Sequence, residues 1–190
     1  MNNNTGAALF LTTGFEEVEA LATVDVLRRG GVAVDTVSLT GSRLVTGSHA
    51  ITVQVDLLFE DASDGHAMLI LPGGPGTANY KSLRPFLDYL AEMAADGRYI
   101  AAICAAPSVL AELGLLRGRR AVCFAAYEDE LRAGGAVIGE GPVVRDGNII
   151  TSRAISTALL FGLECLAALA GPEKAREISE KMMMGLPTQY

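Results

Sequence analysis

Short apolar runs and longer stretches of helical period take turns along this chain. Residues 7–12 form the first run. Residues 16–29 follow as a helix, with Val18, Leu21, Ala22 and Val26 on one face and Gly30-Gly31 at its end. A second strand is expected over 32–39. Residues 41–55 read as a hairpin excursion in which Ile51, Val53 and Val55 alternate with polar neighbours. Further strands are expected over 67–71, where Pro72-Gly73-Gly74 stops the run, over 99–103 and over 120–124, with a second hairpin over 143–152 turning at Asp146-Gly147. Helices are expected over 84–95, 107–113, 156–170 and 172–184. Strands alternating with helices predict an α/β fold, a flavodoxin-like doubly wound parallel sheet sandwiched by helices. No linker or repeat interrupts the pattern, so residues 1–190 are read as one domain, with 1–6 expected to be flexible.

Composition narrows the function classes. A formal net charge of -7 weighs against phosphate backbones and anionic lipid, so neither nucleic acid nor a membrane is expected as a partner. The longest apolar stretch, 158–170, is too short to span a bilayer and contains Glu164. No basic segment followed by an apolar run opens the chain, so no signal peptide is expected. Cys104, Cys123 and Cys165 fall in no metal-ligand spacing, so no metal is expected. Their odd count fits a reducing compartment, with the cytoplasm the natural location.

Three motifs fall at the carboxyl ends of strands, where chemistry gathers in such sheets. In Ala101-Ala102-Ile103-Cys104-Ala105-Ala106-Pro107, a buried strand runs into a cysteine, small residues follow, and Pro107 suits a first helical turn. The new helix is expected to favour thiolate and lower the Cys104 pKa. From this string alone, a nucleophile and an inert core cysteine stand as equal alternatives. In Gly14-Phe15-Glu16-Glu17-Val18-Glu19, Glu16 and Glu17 are read as helix-start caps. Glu19 sits one turn further on an apolar stretch, where burial would keep it protonated and able to donate toward a thiolate. In Leu69-Ile70-Leu71-Pro72-Gly73-Gly74, the glycines let backbone amides approach a ligand, as an oxyanion hole requires, or simply make a turn.

In order, GFEEVEA, DVLRRGG, LILPGG, AAICAAP and ITSR resemble the ThiJ/PfpI superfamily, and within it the parkinsonism-associated deglycase branch, from about residue 7 to residue 171. The resemblance implies a flavodoxin-like fold of the class I glutamine amidotransferase-like kind and a homodimer. It implies that Cys104 is the elbow nucleophile and Glu19 the protonated glutamate against it. Gly73 and Gly74 match backbone donors, and Ala105 matches the residue after the nucleophile. Arg29 and Arg153 match basic positions near the pocket or the dimer seam.

Departures from the family pattern bear on the reaction. Phe124 stands where many relatives carry a histidine, so a Cys-His peptidase or amidase would lack its proton acceptor. Ala154-Ile155-Ser156 replaces a glycine-rich turn and should narrow or reshape the rim, and Ala106 stands where several relatives have glycine. His49 lies in the first hairpin, which in this family approaches the partner subunit's site; it is a candidate to act in trans, a plain surface histidine being the alternative. His66 reads as a solvated bystander, Cys165 as core, Cys123 as core rather than a resolving thiol, and Met182-Met183-Met184 as a packing contact. The reading that follows is a cofactor-independent, cysteine-dependent enzyme acting on a small carbonyl substrate, glyoxalase III-like or deglycase-type. The alternative is a redox sensor or stress-protective chaperone that uses oxidation of Cys104 without turnover.

Overall fold

The computed structural model describes residues 6–63 and 65–185, so residues 1–5 of the segment expected to be flexible lie outside the described residues. The chain opens with β1 (Ala7–Leu11), α1 (Glu17–Arg29) and β2 (Val34–Ser38), followed by a hairpin of β3 (Leu44–Thr46) and β4 (Thr52–Gln54) and by a short β5 (Leu57–Leu58). Next come β6 (Met68–Leu71), α2 (Thr77–Ser82), α3 (Arg84–Ala95), β7 (Tyr99–Ile103) and α4 (Pro107–Glu112). The remainder is β8 (Arg120–Ala121), α5 (Glu128–Ala133), β9 (Val137–Ile138), β10 (Val143–Asp146), β11 (Ile149–Ser152), α6 (Ala158–Ala170) and α7 (Pro172–Lys181).

The central sheet has the order β10-β11-β7-β6-β1-β2-β5, and every pairing is parallel except that of β10 with β11. Numbered along the chain, β2-β1-β6-β7-β11 gives the flavodoxin-like order 2-1-3-4-5, as expected. Its inner strands are buried on both faces, which is why they read as unbroken apolar runs. Leu9, Leu11, Ile70, Ala101 and Ile103 face the layer of α1, α6 and α7. Phe10, Leu69, Leu71, Ile100 and Ala102 face the layer of α3, α4 and α5. No helix among the described residues is long and apolar enough to cross a membrane.

Two local expectations need correction. The strand expected over 120–124 stops at Ala121 and pairs with β9 in a separate two-stranded ladder. Beyond it the backbone takes other partners: the Val122 amide donates to Thr151 Oγ1 and the Phe124 amide to the Cys104 carbonyl. The helix expected from residue 156 begins as a 3-10 turn, Ile155–Thr157, and becomes α-helical at Ala158.

Candidate active site

Glu19, Gly73 and Cys104 follow β1, β6 and β7, three neighbouring strands, and converge at the carboxyl edge of the sheet. Cys104 has φ of 65°, in the left-handed region that a side chain with a Cβ rarely adopts. Such strain is on the order of 1–3 kcal/mol and persists only where the surroundings enforce it. Here the Cys104 amide donates to the Ser152 carbonyl at 3.0 Å and its carbonyl accepts from the Phe124 amide at 2.9 Å. The kink has a directional consequence. Ile103 faces the α1 layer, so an ordinary strand would turn residue 104 to the opposite face. Instead Cys104 packs against the α1-side cluster, partly exposed, where Glu19 waits.

Glu19 is 1% exposed and lies in the first turn of α1. Its Oε2 accepts from the Gly73 amide at 2.9 Å, while Oε1 is buried without a hydrogen bond of ordinary geometry. The thiol lies against this carboxyl. Burial pushes Glu19 up to about 7, against the lowering pull of Cys104 and the Gly73 amide, and the nearby Glu16 charge adds to the rise. The expectation of a depressed thiol pKa does not hold. Burial, the charge of Glu19 and its hydrogen bond push Cys104 up to about 12, and the amides of Gly74 and Ala105 offset this only in part. The two groups therefore titrate as a pair. With Glu19 protonated, its charge is gone and its O–H becomes a donor toward sulfur, which is the state that favours thiolate.

Gly73 and Gly74 divide their work. The Gly74 amide faces the sulfur, whereas the Gly73 amide is committed to Glu19, so Gly73 positions the carboxyl and is not an open oxyanion donor. A Cβ at Gly73 would stand 2.6 Å from Cys104 Cβ and 2.9 Å from Glu19 Oε2. Gly74 has φ of 92°, and a Cβ there would stand 2.6 Å from the Glu16 nitrogen.

Glu16 caps α1 as expected, accepting from the Glu19 amide at 2.7 Å. Glu17 does something the sequence did not announce. Its side chain is 5% exposed and clasps the turn between β3 and β4, accepting from the His49 amide at 2.6 Å and meeting His49 Nδ1 at 2.9 Å and Ser48 Oγ at 3.1 Å. Burial alone would raise its pKa, but these bonds win and hold it down to about 2. In return, the Glu17 hydrogen bond and charge raise the pKa of His49. His49 is thus tied to its own chain through Nδ1, with 70% of its side chain exposed.

The chain as a whole has relatives among known proteins. Residues 6–168 match the DJ-1/PfpI family. The chain belongs to that family. It is 36% identical over 180 residues to protein dj-1beta of Drosophila melanogaster, covering 94% of this chain and 96% of that one. The crystal structure of Drosophila melanogaster DJ-1beta superposes with a TM-score of 0.90 at 34% identity, over 96% of this chain and 100% of that one. A protein named deglycase from Pyrococcus abyssi is 33% identical over 140 residues, 73% of this chain and 84% of its own. Protein DJ-1 homolog B of Arabidopsis thaliana is 36% identical over 174 residues; 90% of this chain matches 40% of that longer protein.

Within this DJ-1/PfpI chain, the remaining residues singled out from the sequence part company. Ala105 lies in the elbow, and its amide faces the sulfur. Phe124 is joined to Cys104 through the backbone. Arg153 is tied elsewhere: its guanidinium meets Glu128 at 3.3 Å and donates to the Gly141 and Gly139 carbonyls at 2.8 and 3.2 Å. Arg29 is about 15 Å along α1 from Glu19 and pairs with Asp25, so it does not join the site of its own chain. Cys123 is fully buried in the α3/α4 layer, on the face opposite Cys104, which suits a core residue and not a resolving thiol. Cys165 is fully buried in the α1 layer. His66 is not the solvated bystander expected: its side chain is 6% exposed and Nε2 meets Asp35 at 2.8 Å.

Proposed function

We propose that this chain is a cysteine-dependent enzyme that converts small 2-oxoaldehydes such as methylglyoxal to hydroxy acids, or performs the related deglycase-type reaction, with Cys104 as nucleophile and Glu19 as acid and base. The observation that carries the reading is the left-handed Cys104 set against a buried carboxyl whose pKa lies at about 7. The deglycase name of the Pyrococcus abyssi relative supports carbonyl chemistry.

The Cys104 sulfur bonds to the aldehyde carbon as the carbonyl π pair moves to oxygen, which takes up the thiol proton by way of Glu19. Glu19 then removes the hydrogen on C1 as a proton while the C2 oxygen takes up a proton, giving an enediol, and as the C1 hydroxyl gives up its proton C2 takes one up. C1 becomes a thioester and the C2 ketone becomes an alcohol. Water cleaves the thioester, releases the hydroxy acid and restores the thiol. Oxidation at C1 balances reduction at C2, so the net change is the addition of one water. The amides of Gly74 and Ala105 lie where they can stabilise charge near the sulfur.

Methylglyoxal loss measured with pure protein tests the reading, with Cys104→Ser as the comparison. Turnover should fall to background in the Ser variant. Equal rates in the two proteins would remove the enzymatic reading and leave oxidation of Cys104 as the working chemistry.

The proposed assembly is a homodimer. Val18 and Leu21 on α1, Ile51 beside β4, and Leu159 and Leu160 on α6 leave large apolar side chains exposed. Covering that face would set the hairpin carrying His49, and Arg29 on α1, at or beside the seam. Light scattering should report twice the 19.9 kDa chain mass; the single mass at micromolar concentration would contradict it.

A further inference from the structure

Two apolar side chains stand exposed on either flank of the elbow. Phe124, 46% exposed, donates its amide to the Cys104 carbonyl at 2.9 Å. Its neighbour Cys123 is buried in the α3/α4 layer, and Phe124 has extended backbone, φ −60° and ψ 134°. The ring of Phe124 thus stands open to solvent on a segment held directly to the elbow, whose thiol is itself partly exposed. On the other flank the Ser152 carbonyl accepts from the Cys104 amide, and three residues later the chain presents Ile155, 48% exposed. A ligand bound at the sulfur can cover this apolar surface, and removing it from water favours binding.

Charge points the same way. Arg153, the nearest guanidinium among these segments, is satisfied by Glu128 and by the Gly139 and Gly141 carbonyls. An anionic substituent on the substrate would therefore find the Arg153 guanidinium already paired.

Resting on the carbonyl reading of Cys104, we propose that the substrates are neutral 2-oxoaldehydes with an aryl or branched alkyl substituent, which packs on Phe124 and Ile155. The reacting carbons undergo the same water-balanced conversion described above; the substituent only determines binding.

The test compares kcat/KM for phenylglyoxal and methylglyoxal in wild type, Phe124→Ala and Ile155→Ala. The ratio of the two substrates, taken between variants, cancels their different intrinsic reactivity. The aryl preference should fall roughly tenfold in Phe124→Ala, the size of one aromatic contact, and by less in Ile155→Ala. A parallel measurement needs no turnover: alkylation of Cys104 by N-phenyl iodoacetamide against iodoacetamide, followed by mass mapping of that residue. The N-phenyl preference should also shrink in Phe124→Ala. Ratios unchanged by Phe124→Ala in both measurements would overturn the proposal. Alkylation selectivity that depends on Phe124, in a protein that turns over neither aldehyde, would support the apolar recognition and sink the catalytic reading alone.

Discussion

Glu19→Gln is expected to lower the proposed methylglyoxal turnover by about 100-fold or more while the protein remains folded. Glutamine has nearly the same shape, and its carbonyl oxygen can still accept from the Gly73 amide, so the packing of a side chain that is 1% exposed survives. It cannot exchange a proton with the sulfur or with the substrate carbons. The same variant reports on stability through pH. The folded pKa of Glu19, about 7, lies above the ordinary 4.5. Its contribution is therefore fully present below pH 4.5 and is lost as pH rises through 7, by about 3 kcal/mol over that window. Glutamine does not titrate, so Glu19→Gln should gain about that much relative to wild type between pH 4.5 and 7.5 in denaturant melts. Parallel pH curves for the two proteins would show that the carboxyl is hydrated in solution, and turnover like wild type would reduce Glu19 to a helix-start residue.

Gly73→Ala is expected to disable the site and to weaken the fold together. The added methyl would stand 2.6 Å from Cys104 Cβ, 2.9 Å from Glu19 Oε2 and 2.9 Å from the Ile103 carbonyl oxygen. Two of these atoms are fixed by the end of β7, so the easiest relief moves Glu19 away from the sulfur or separates β6 from β7. Overpacking of this kind costs about 1–3 kcal/mol. Urea midpoints and methylglyoxal turnover measured on the same preparation check both halves. A variant with the wild-type midpoint and rate would mean that the strand ends have slack this geometry does not show.

The sheet was legible because its inner strands are buried on both faces and so stand out as apolar runs, from Phe10 and Leu11 through Ile70 and Leu71 to Ile103. The elbow was legible because Cys104 sits between such a run and a proline. What stayed hidden depends on contacts made across the fold. Nothing local distinguishes Glu17, which reaches the turn at Ser48 and His49, from Glu16, which caps its own helix. Nor does a glycine pair reveal that one amide serves a carboxyl and the other a thiol. The thiol pKa runs opposite to the expectation from the elbow because a helix start counts for less than burial beside Glu19. The short β8 ends before its apolar run does because Val122 and Phe124 find their hydrogen-bond partners in β11 and the elbow.

The left-handed backbone at Cys104 means that the hardiest version of this protein and the reactive one are different sequences. Glycine accepts φ of 65° without the Cβ crowding that any other residue meets there, a relief on the order of 1–2 kcal/mol. Engineering for thermal endurance would thus be drawn to position 104, and a screen blind to chemistry would discard the very sulfur the fold is bent to present.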